Sequence, residues 1–227
     1  SGAQVARAAH TYLHTQVEAG HGCPITMTFA AVPSLRTTPE LAAYWEPKIT
    51  SRVYDSRNVP DAQKAGVTIG MAMTEKQGGS DVRANTTRAY PVGKPGPGQL
   101  YELVGHKFFV SAPMCDAFLV LAQTTSGLSC FLLPRWRTDG SKNPMQVLRL
   151  KRKMGNVSNA SSETELRGAH AWMVGEEGRG VRTIIEMVAM TRFDCMIGSS
   201  AGQRAALSHA LHHCSVRSAF GKVLNQQ

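Results

Sequence analysis

The stretch Gly70–Val82, GMAMTEKQGGSDV, decides the fold that the rest of the sequence predicts. An apolar run, Val67–Met73, leads into it and indicates a buried strand. The glycine pair Gly78-Gly79 permits a close approach of the backbone to a ligand, and hydroxyls at Thr74 and Ser80 flank the loop. Such a loop offers donors to an anionic or polar-edged cofactor, with an ordinary surface turn as the alternative. Neither a GK[ST] nor a GxGxxG phosphate motif is present.

The composition is that of a globular protein, with 42% hydrophobic and 18% charged residues among 227. Twenty-five basic residues against sixteen acidic ones give a net charge of +9, which favours anionic partners such as nucleotides, coenzyme A or nucleic acid. Five scattered cysteines without a CxxC pattern predict reduced, buried thiols of a cytoplasmic protein. No apolar run approaches the roughly 20 residues of a membrane helix, and both ends suggest the middle of a longer protein.

Helical patterns occupy the two ends of the chain. Apolar residues at three- and four-residue steps predict an amphipathic helix over Gln4–Ala19. Cys23–Val32 is a second candidate, and Thr38, as N-cap, starts a short helix through Trp45. The polar stretch Ser51–Lys64 reads as a connector. From Gly180 onward the helical period returns and continues to Arg217.

The middle of the chain has short β-branched runs separated by Gly, Pro and Ser, typical of an antiparallel barrel or sandwich. The predicted strands are Val67–Met73, Thr86–Val92, Tyr101–Val104, Lys107–Ser111, Ala117–Thr124 and Leu128–Leu133, with weaker ones at Val147–Leu150, Glu163–Arg167 and Ala171–Val174. The predicted fold class is therefore α+β, with three segments: helical residues 1–65, a β domain over 66–178 and the start of a second helical domain over 179–227.

The run Ala72–Asp81, followed by Ala84, resembles the flavin-loop signature of the acyl-CoA dehydrogenase family. The sequence TEKQGGSDV, with NTTRA after it, is similar to that of the AidB-like branch of the family, which comprises alkylation-response flavoproteins. The resemblance implies an α-domain, a β-barrel and a second α-domain, an FAD cofactor, an acyl-CoA substrate and a homotetramer.

Two further stretches carry the resemblance. Gly105–Ala112, GHKFFVSA, is similar to the family's second flavin stretch, and Arg217–Gly221, RSAFG, to a segment that meets the FAD of a neighbouring subunit. A core strand and a helix C-terminal cation are the respective alternatives. The cofactor-binding residues implied are Met71, Met73, Thr74, Gly79, Ser80, Phe109, Val110, Ser111, Arg217 and Phe220.

The substrate-binding residues implied by the resemblance are Ser80 and Arg192. The sequence departs from the family beside Arg192, because Thr191 stands where some relatives carry the catalytic glutamate and Ala189 where some carry an aspartate. The commoner glutamate base is expected beyond Gln227. The catalytic base therefore stays unidentified, since α-proton abstraction needs a positioned carboxylate.

A metal site is not predicted. His209 and His213 share a helix face, but no acidic or cysteine partner stands at ligand spacing, so a surface helix face is the interpretation. The basic run Arg149–Lys153 could touch phosphates, with a charged strand edge as the favoured alternative.

Two functional hypotheses follow. The first is an FAD-dependent acyl-CoA dehydrogenase, acting on a short branched substrate such as isovaleryl-CoA. The second is a flavin-containing protein of the alkylation-damage response, with little turnover and with double-stranded DNA bound through a C-terminal region beyond this sequence. Thr191 and Ala189 favour the second, while the charge of +9 fits either polyanion.

Overall fold

The computed structural model describes residues 2–227, in which three helices precede a mixed sheet and one long helix follows it. The helices are α1 (Gly2–Thr15), α2 (Gly22–Leu35), α3 (Pro39–Ile49) and α4 (Gly180–Val216). The strands are β1 (Ile69–Ala72), β2 (Arg88–Pro91), β3 (Leu100–Ser111), β4 (Ala117–Thr124), β5 (Gly127–Pro134), β6 (Met145–Leu150), β7 (Ser161–Val174), β8 (Ser218–Ala219) and β9 (Lys222–Val223). The α+β class and the order of helices, sheet and helix are as predicted.

The pairings of the sheet close on themselves. Strand β4 pairs with β2 and β5, β2 with β3, β3 with β7, and β7 with β5, so five strands form a closed ring. Closure removes the exposed sheet edges of these strands. The sheet is not purely antiparallel as expected, because β1 and the first residue of β2 run parallel to β4.

Strands β4 and β5 form the centre of the core. Ala117–Ala122 and Cys130–Leu132 are completely buried, which explains their continuous apolar sequence without polar alternation. Tyr101 of β3 packs edge-on against Phe131 of β5, with ring centroids 5.1 Å apart. The cysteine prediction holds for Cys115 and Cys130 but is wrong for Cys195, which is exposed on α4.

Strands β3 and β7 are each one long strand where the sequence predicted two. The apparent break in β3 begins at Gly105, which pairs with Leu166, and that in β7 begins at Gly168, which is skipped at a register shift of this antiparallel pair. A Cβ at Gly105 would lie 2.7 Å from the Thr87 Cα. The glycine therefore lets β3 pack closely against the residue that precedes β2, and the strand continues through it.

An acidic residue of α4 ties the first two helices to the last. The Asp194 carboxylate accepts from Arg7 Nη1 at 2.8 Å and from the Thr26 hydroxyl at 2.5 Å. The Ser34 hydroxyl adds a bond to the Thr183 carbonyl at 2.8 Å. These bonds hold α1, α2 and α4 together beside the barrel.

The predicted N-cap of α3 has a different partner. Thr38 does precede Pro39 at the start of α3, but its hydroxyl makes no cap bond and accepts from the Gly175 N–H at 2.8 Å. Helix α3 is thereby attached to the end of β7.

In residues 2–227, none of the helices has the length and apolar character needed to cross a membrane.

Candidate functional site

A β-bulge in β3 determines which side chains face outward at the second flavin-like stretch. Lys107 pairs with Thr164 of β7 and Val110 with Ser162, so three steps on β3 oppose two on β7. The extra residue shifts the alternation of the strand. Lys107 and Val110 are buried, at 0% and 1% exposure, while Phe109 is 38% exposed.

The bulge is supported from the opposite strands by a lysine. Lys151 Nζ lies 3.3 Å from the Phe108 ring centroid and 4.3 Å from that of Phe109, and it pairs with Glu163 at 3.0 Å. The two rings meet edge-on, with centroids 5.5 Å apart. A cation above aromatic rings is attractive, so Lys151 restrains Phe109 in its outward position.

The glycine-rich loop after β1 is anchored to the same strand by a buried ion pair. Lys107 Nζ donates to the Glu75 carboxylate at 2.8 Å and to the Leu121 carbonyl at 2.7 Å. Glu75 also accepts the N–H and hydroxyl of both Thr86 and Thr87, at 2.5 to 3.1 Å. All of these partners hold the first residues of the loop rigidly against the barrel.

The environment keeps the Glu75 carboxylate ionised. Burial alone raises the pKa of Glu75, but the charge of Lys107 and the donated hydrogen bonds outweigh it and lower that pKa to about 2. A carboxylate that is ionised near neutral pH and fully engaged in hydrogen bonds serves as an anchor. It is not poised to take a proton near neutral pH.

We call the surface made by Thr74, Gly79, Phe109 and Ser111 the bulge face. The loop joins it because the Phe108 N–H donates to the Thr74 carbonyl at 2.8 Å, and Gly79 packs so closely on Thr74 that a Cβ there would lie 2.9 Å from its Oγ1. Within residues 2–227 the Thr74 hydroxyl has no partner. An accessible aromatic ring beside hydroxyl donors fits a planar ligand with a polar edge.

The remaining predicted residues of the two flavin-like stretches lie at or behind this face. Ser80 is exposed at the end of the loop, while Met71 and Met73 are half-buried and pack against the core. Val110 is buried, so only its backbone could contact a ligand, and its carbonyl already accepts the Ser162 hydroxyl at 3.2 Å.

Arg217 and Phe220 follow the C-terminal end of α4, whose first residue packs on Ser129 of β5. They belong to a hairpin in which β8 pairs with β9, and Phe220 is 99% exposed at its tip. The hairpin follows α4, whose 37 residues span about 55 Å at the rise of an α-helix. One chain therefore does not bring these two residues together with Phe109.

An arginine-lined cleft lies where β4, β5 and the start of α4 meet. Its volume is about 610 Å³, and Arg83, Arg179 and Arg182 line it together with apolar residues that include Val181 and Ile185. We call it the arginine cleft. Arg192 lies seven residues after Ile185, which places both on one face of α4.

A second cleft is mostly apolar. It has a volume of about 620 Å³ and lies between α2, the segment 48–54 and the residues that follow β3. Ile25, Phe29 and Val32 line it from α2, and Met114, three residues after Ser111, lines it from the other side. We call it the apolar cleft.

Two buried carboxylates of residues 2–227, those of Glu75 and Asp194, are already engaged by other side chains. Glu75 is held by Lys107, and Asp194 is held by Arg7 and Thr26. Thr191, at the position of the glutamate of some relatives, donates its hydroxyl to the Val188 carbonyl at 2.9 Å.

Sequence reasoning missed the residues that support the bulge face from β6, β7 and the loop between them. They are Lys151, Lys153, Ser161 and Glu163. The run Arg149–Lys153 was interpreted as a solvated edge, yet Glu163 pairs with both Arg149 and Lys151. A signal in the sequence was the acidic Glu163, which follows the basic run by ten residues. Among residues 2–227, no three acidic, histidine or cysteine side chains converge in an arrangement suited to a metal ion.

The closed barrel, with helices before and after it, matches known domains. Residues 70–169 match the family model described as the acyl-CoA dehydrogenase middle domain, and residues 1–56 match the adaptive response protein AidB N-terminal domain. The chain therefore belongs to the acyl-CoA dehydrogenase family. Its N-terminal helices are of the AidB type.

Individual relatives agree with this assignment. The chain is 54% identical to the AidB protein of Escherichia coli strain K12, over the whole chain and 41% of that protein. It is 35% identical to acyl-CoA dehydrogenase family member 11 of Caenorhabditis elegans, over 88% of the chain and 33% of that protein. The solved structure of Caenorhabditis elegans ACDH-11 in complex with C11-CoA has a TM-score of 0.84 at 32% identity, covering 97% of this chain and 38% of that one. The chain thus spans about two fifths or less of these relatives.

Proposed function

We propose that the protein is an FAD-dependent oxidoreductase that removes hydrogen from the α and β carbons of an acyl-CoA. The observation that carries the proposal is the bulge face, an outward aromatic ring flanked by hydroxyls and a glycine loop inside an acyl-CoA dehydrogenase middle domain. Bound FAD would supply the acceptor for the hydride from the β carbon. The relative of 54% identity supports the same class.

The residues of the bulge face would bind and orient the cofactor. The Phe109 ring provides a flat apolar surface, and the hydroxyls of Thr74 and Ser111 provide donors for a polar ring edge. Because Lys107 and Glu75 hold the loop to β3, these groups keep their geometry before the ligand arrives. Met71, Met73, Gly79, Ser80 and the Val110 backbone complete the proposed cofactor site.

The substrate would use both clefts. Three guanidinium groups in the arginine cleft suit the phosphates of coenzyme A, because arginine forms paired hydrogen bonds with phosphate oxygens. Ser80 and Arg192 are the further proposed substrate contacts. The apolar cleft beside Met114 suits an acyl chain, and a short branched acyl group such as isovaleryl is the first candidate.

The test is an anaerobic titration of the FAD-loaded protein, expressed from its complete gene, with isovaleryl-CoA and with longer acyl-CoA compounds. Bleaching of the visible flavin absorbance by any of them supports the proposed reaction, because hydride transfer reduces the flavin. A flavin band that persists with every acyl-CoA contradicts dehydrogenation while leaving FAD binding intact.

The second candidate is a flavin-containing protein of the alkylation response that binds double-stranded DNA. Thr191 favours it, since its hydroxyl is committed to the helix backbone where some relatives place a catalytic carboxylate. The arginine cleft would attract DNA phosphates equally well. Affinity for duplex DNA that falls steeply with salt would support this candidate, and no binding at low salt would exclude it.

We also propose that the protein is a homotetramer. Because Phe220 is almost fully exposed and far from the bulge face, the hairpin of β8 and β9 is placed to reach a second subunit. Arg217 would then approach the FAD of that subunit. Replacing Phe220 with alanine should weaken assembly and FAD retention in sedimentation experiments, whereas replacing the exposed connector residue Tyr54 should change neither.

A further inference from the structure

The hydroxyl of Ser111 is connected across the pairing of β3 and β7 to a lysine ammonium. Ser111 and Ser161 are register partners in β3 and β7, and their Oγ atoms are 3.0 Å apart. Lys153 Nζ donates to the Ser161 Oγ at 3.0 Å and also bonds the Asn159 carbonyl. A chain of two hydrogen bonds therefore runs from Lys153 to the bulge face.

The ammonium group determines which hydroxyl donates and which accepts in these two hydrogen bonds. An ammonium has three donors and no acceptor, so the Ser161 Oγ must accept from Lys153. Ser161 is only 2% exposed, and in residues 2–227 the one other hydrogen-bond partner of its hydroxyl is Ser111. A buried hydroxyl hydrogen without an acceptor is costly, so Ser161 donates to Ser111. Ser111 then has its own hydrogen free to point outward.

We infer that Lys153 is a positioning residue that makes Ser111 a hydrogen-bond donor and raises the reduction potential of a flavin bound at the bulge face. The inference rests on the proposed FAD site. The positive charge behind Ser111 favours electrons on a ligand at this face, and hydrogen bonds to the ring nitrogens are a recognised way in which proteins tune such cofactors. The polarised hydroxyls of Ser161 and Ser111 transmit the effect of that charge to the edge of the ligand.

A neighbouring arginine provides a matched control. Arg152 belongs to the same basic run and is exposed, and in the described part of the chain its side chain makes no hydrogen bond or ion pair. Replacing Arg152 with methionine removes one positive charge and leaves the hydrogen bonds among Lys153, Ser161 and Ser111 in place. Replacing Lys153 with methionine removes the charge and the donor to Ser161 together.

The experiment measures the flavin midpoint potential of the FAD-loaded protein, from its complete gene, against a reference dye. Lys153→Met should lower the equilibrium constant for two-electron reduction about tenfold, which corresponds to about 30 mV. Ser161→Ala should also lower the midpoint potential. Lys153→Arg should retain most of the wild-type potential, and Arg152→Met should leave the potential unchanged. FAD affinity and the flavin spectrum are recorded for each variant.

Each outcome decides the inference. An unchanged potential in Lys153→Met with FAD still bound overturns it, as does an equal shift in Arg152→Met, which would reveal a general charge effect. If Lys153→Met does not fold, the Ser161→Ala potential decides alone. Absence of FAD from the wild-type protein would instead overturn the proposed cofactor site, and the inference with it.

Discussion

The most constrained residue of the site is Lys107, which is completely buried and neutralised by Glu75. Burying two charges costs desolvation energy, which a good geometry and additional hydrogen bonds can offset. Here Glu75 accepts from Lys107, Thr86 and Thr87, while Lys107 also donates to a carbonyl. The ion pair of Lys107 and Glu75 therefore holds the glycine-rich loop against β3.

Replacing Glu75 with glutamine should destabilise the protein by about 3–5 kcal/mol, because Lys107 would keep a buried charge without a partner. The control is Glu165→Gln, whose ion pair with Arg167 is exposed and contributes about 0–1 kcal/mol. Urea unfolding measures both. Equal stabilities for the two variants would show that the buried pair does not anchor the loop.

The same pair predicts a pH dependence. The pKa of Glu75 falls from 4.5 to about 2 on folding, so its stabilising contribution is fully present above pH 4.5 and is lost as the pH falls toward 2. Unfolding free energies measured between pH 6 and 2.5 should therefore decrease more steeply for the wild type than for Glu75→Gln. Parallel curves would contradict the assigned pKa.

The sequence motifs predict Thr74, Phe109 and Ser111 as site residues but none of the residues that support them. Those three residues lie in continuous motifs, whereas Lys151 and Lys153 reach the site from a segment about 40 residues later in the chain. A run of basic residues has the same appearance whether it is solvated or folded over a neighbouring strand. Only the pairing of β6 and β3 with β7 distinguishes these cases.

At the scale of elements, the bulge in β3 determines the site. Regular alternation would put Lys107, Phe109 and Ser111 on one face of the strand. The extra residue opposite β7 turns Lys107 into the barrel and leaves Phe109 outside. The sequence indicated a strand here, but the position of a bulge depends on the register of the partner strand. That register is a tertiary property.

Gly105 tests the packing of β2 against β3. Gly105→Ala should destabilise the protein by about 1–3 kcal/mol, since the new Cβ would lie 2.7 Å from the Thr87 Cα and strain the segment that binds Glu75. Gly155→Ala is the matched control, because no atom lies within 4 Å of its Cβ position. Thermal or urea unfolding compares the two. A Gly105→Ala variant as stable as the control would contradict the packing described.

At the scale of the whole molecule, the order of helices, barrel and helix was predictable, whereas the separation between site segments was not. Changes in hydrophobic period mark the three segments, so the α+β class follows from the sequence. The continuous 37-residue helix α4 separates Arg217 and Phe220 from the bulge face. The motifs predict that Gly70–Val82 and Gly105–Ala112 share one site and that Arg217–Gly221 meets the FAD of a neighbouring subunit. A site completed by a second subunit stays a prediction.

The most direct test of the account measures FAD affinity in the protein expressed from its complete gene, comparing wild type with Phe109→Ala. The account predicts binding about 10- to 100-fold weaker in Phe109→Ala, because the variant loses the stacking surface of the bulge face. Tyr90→Ala, which removes an exposed aromatic residue of β2, should bind FAD like the wild type. Equal affinity in Phe109→Ala, or no FAD binding by the wild type, would contradict the account.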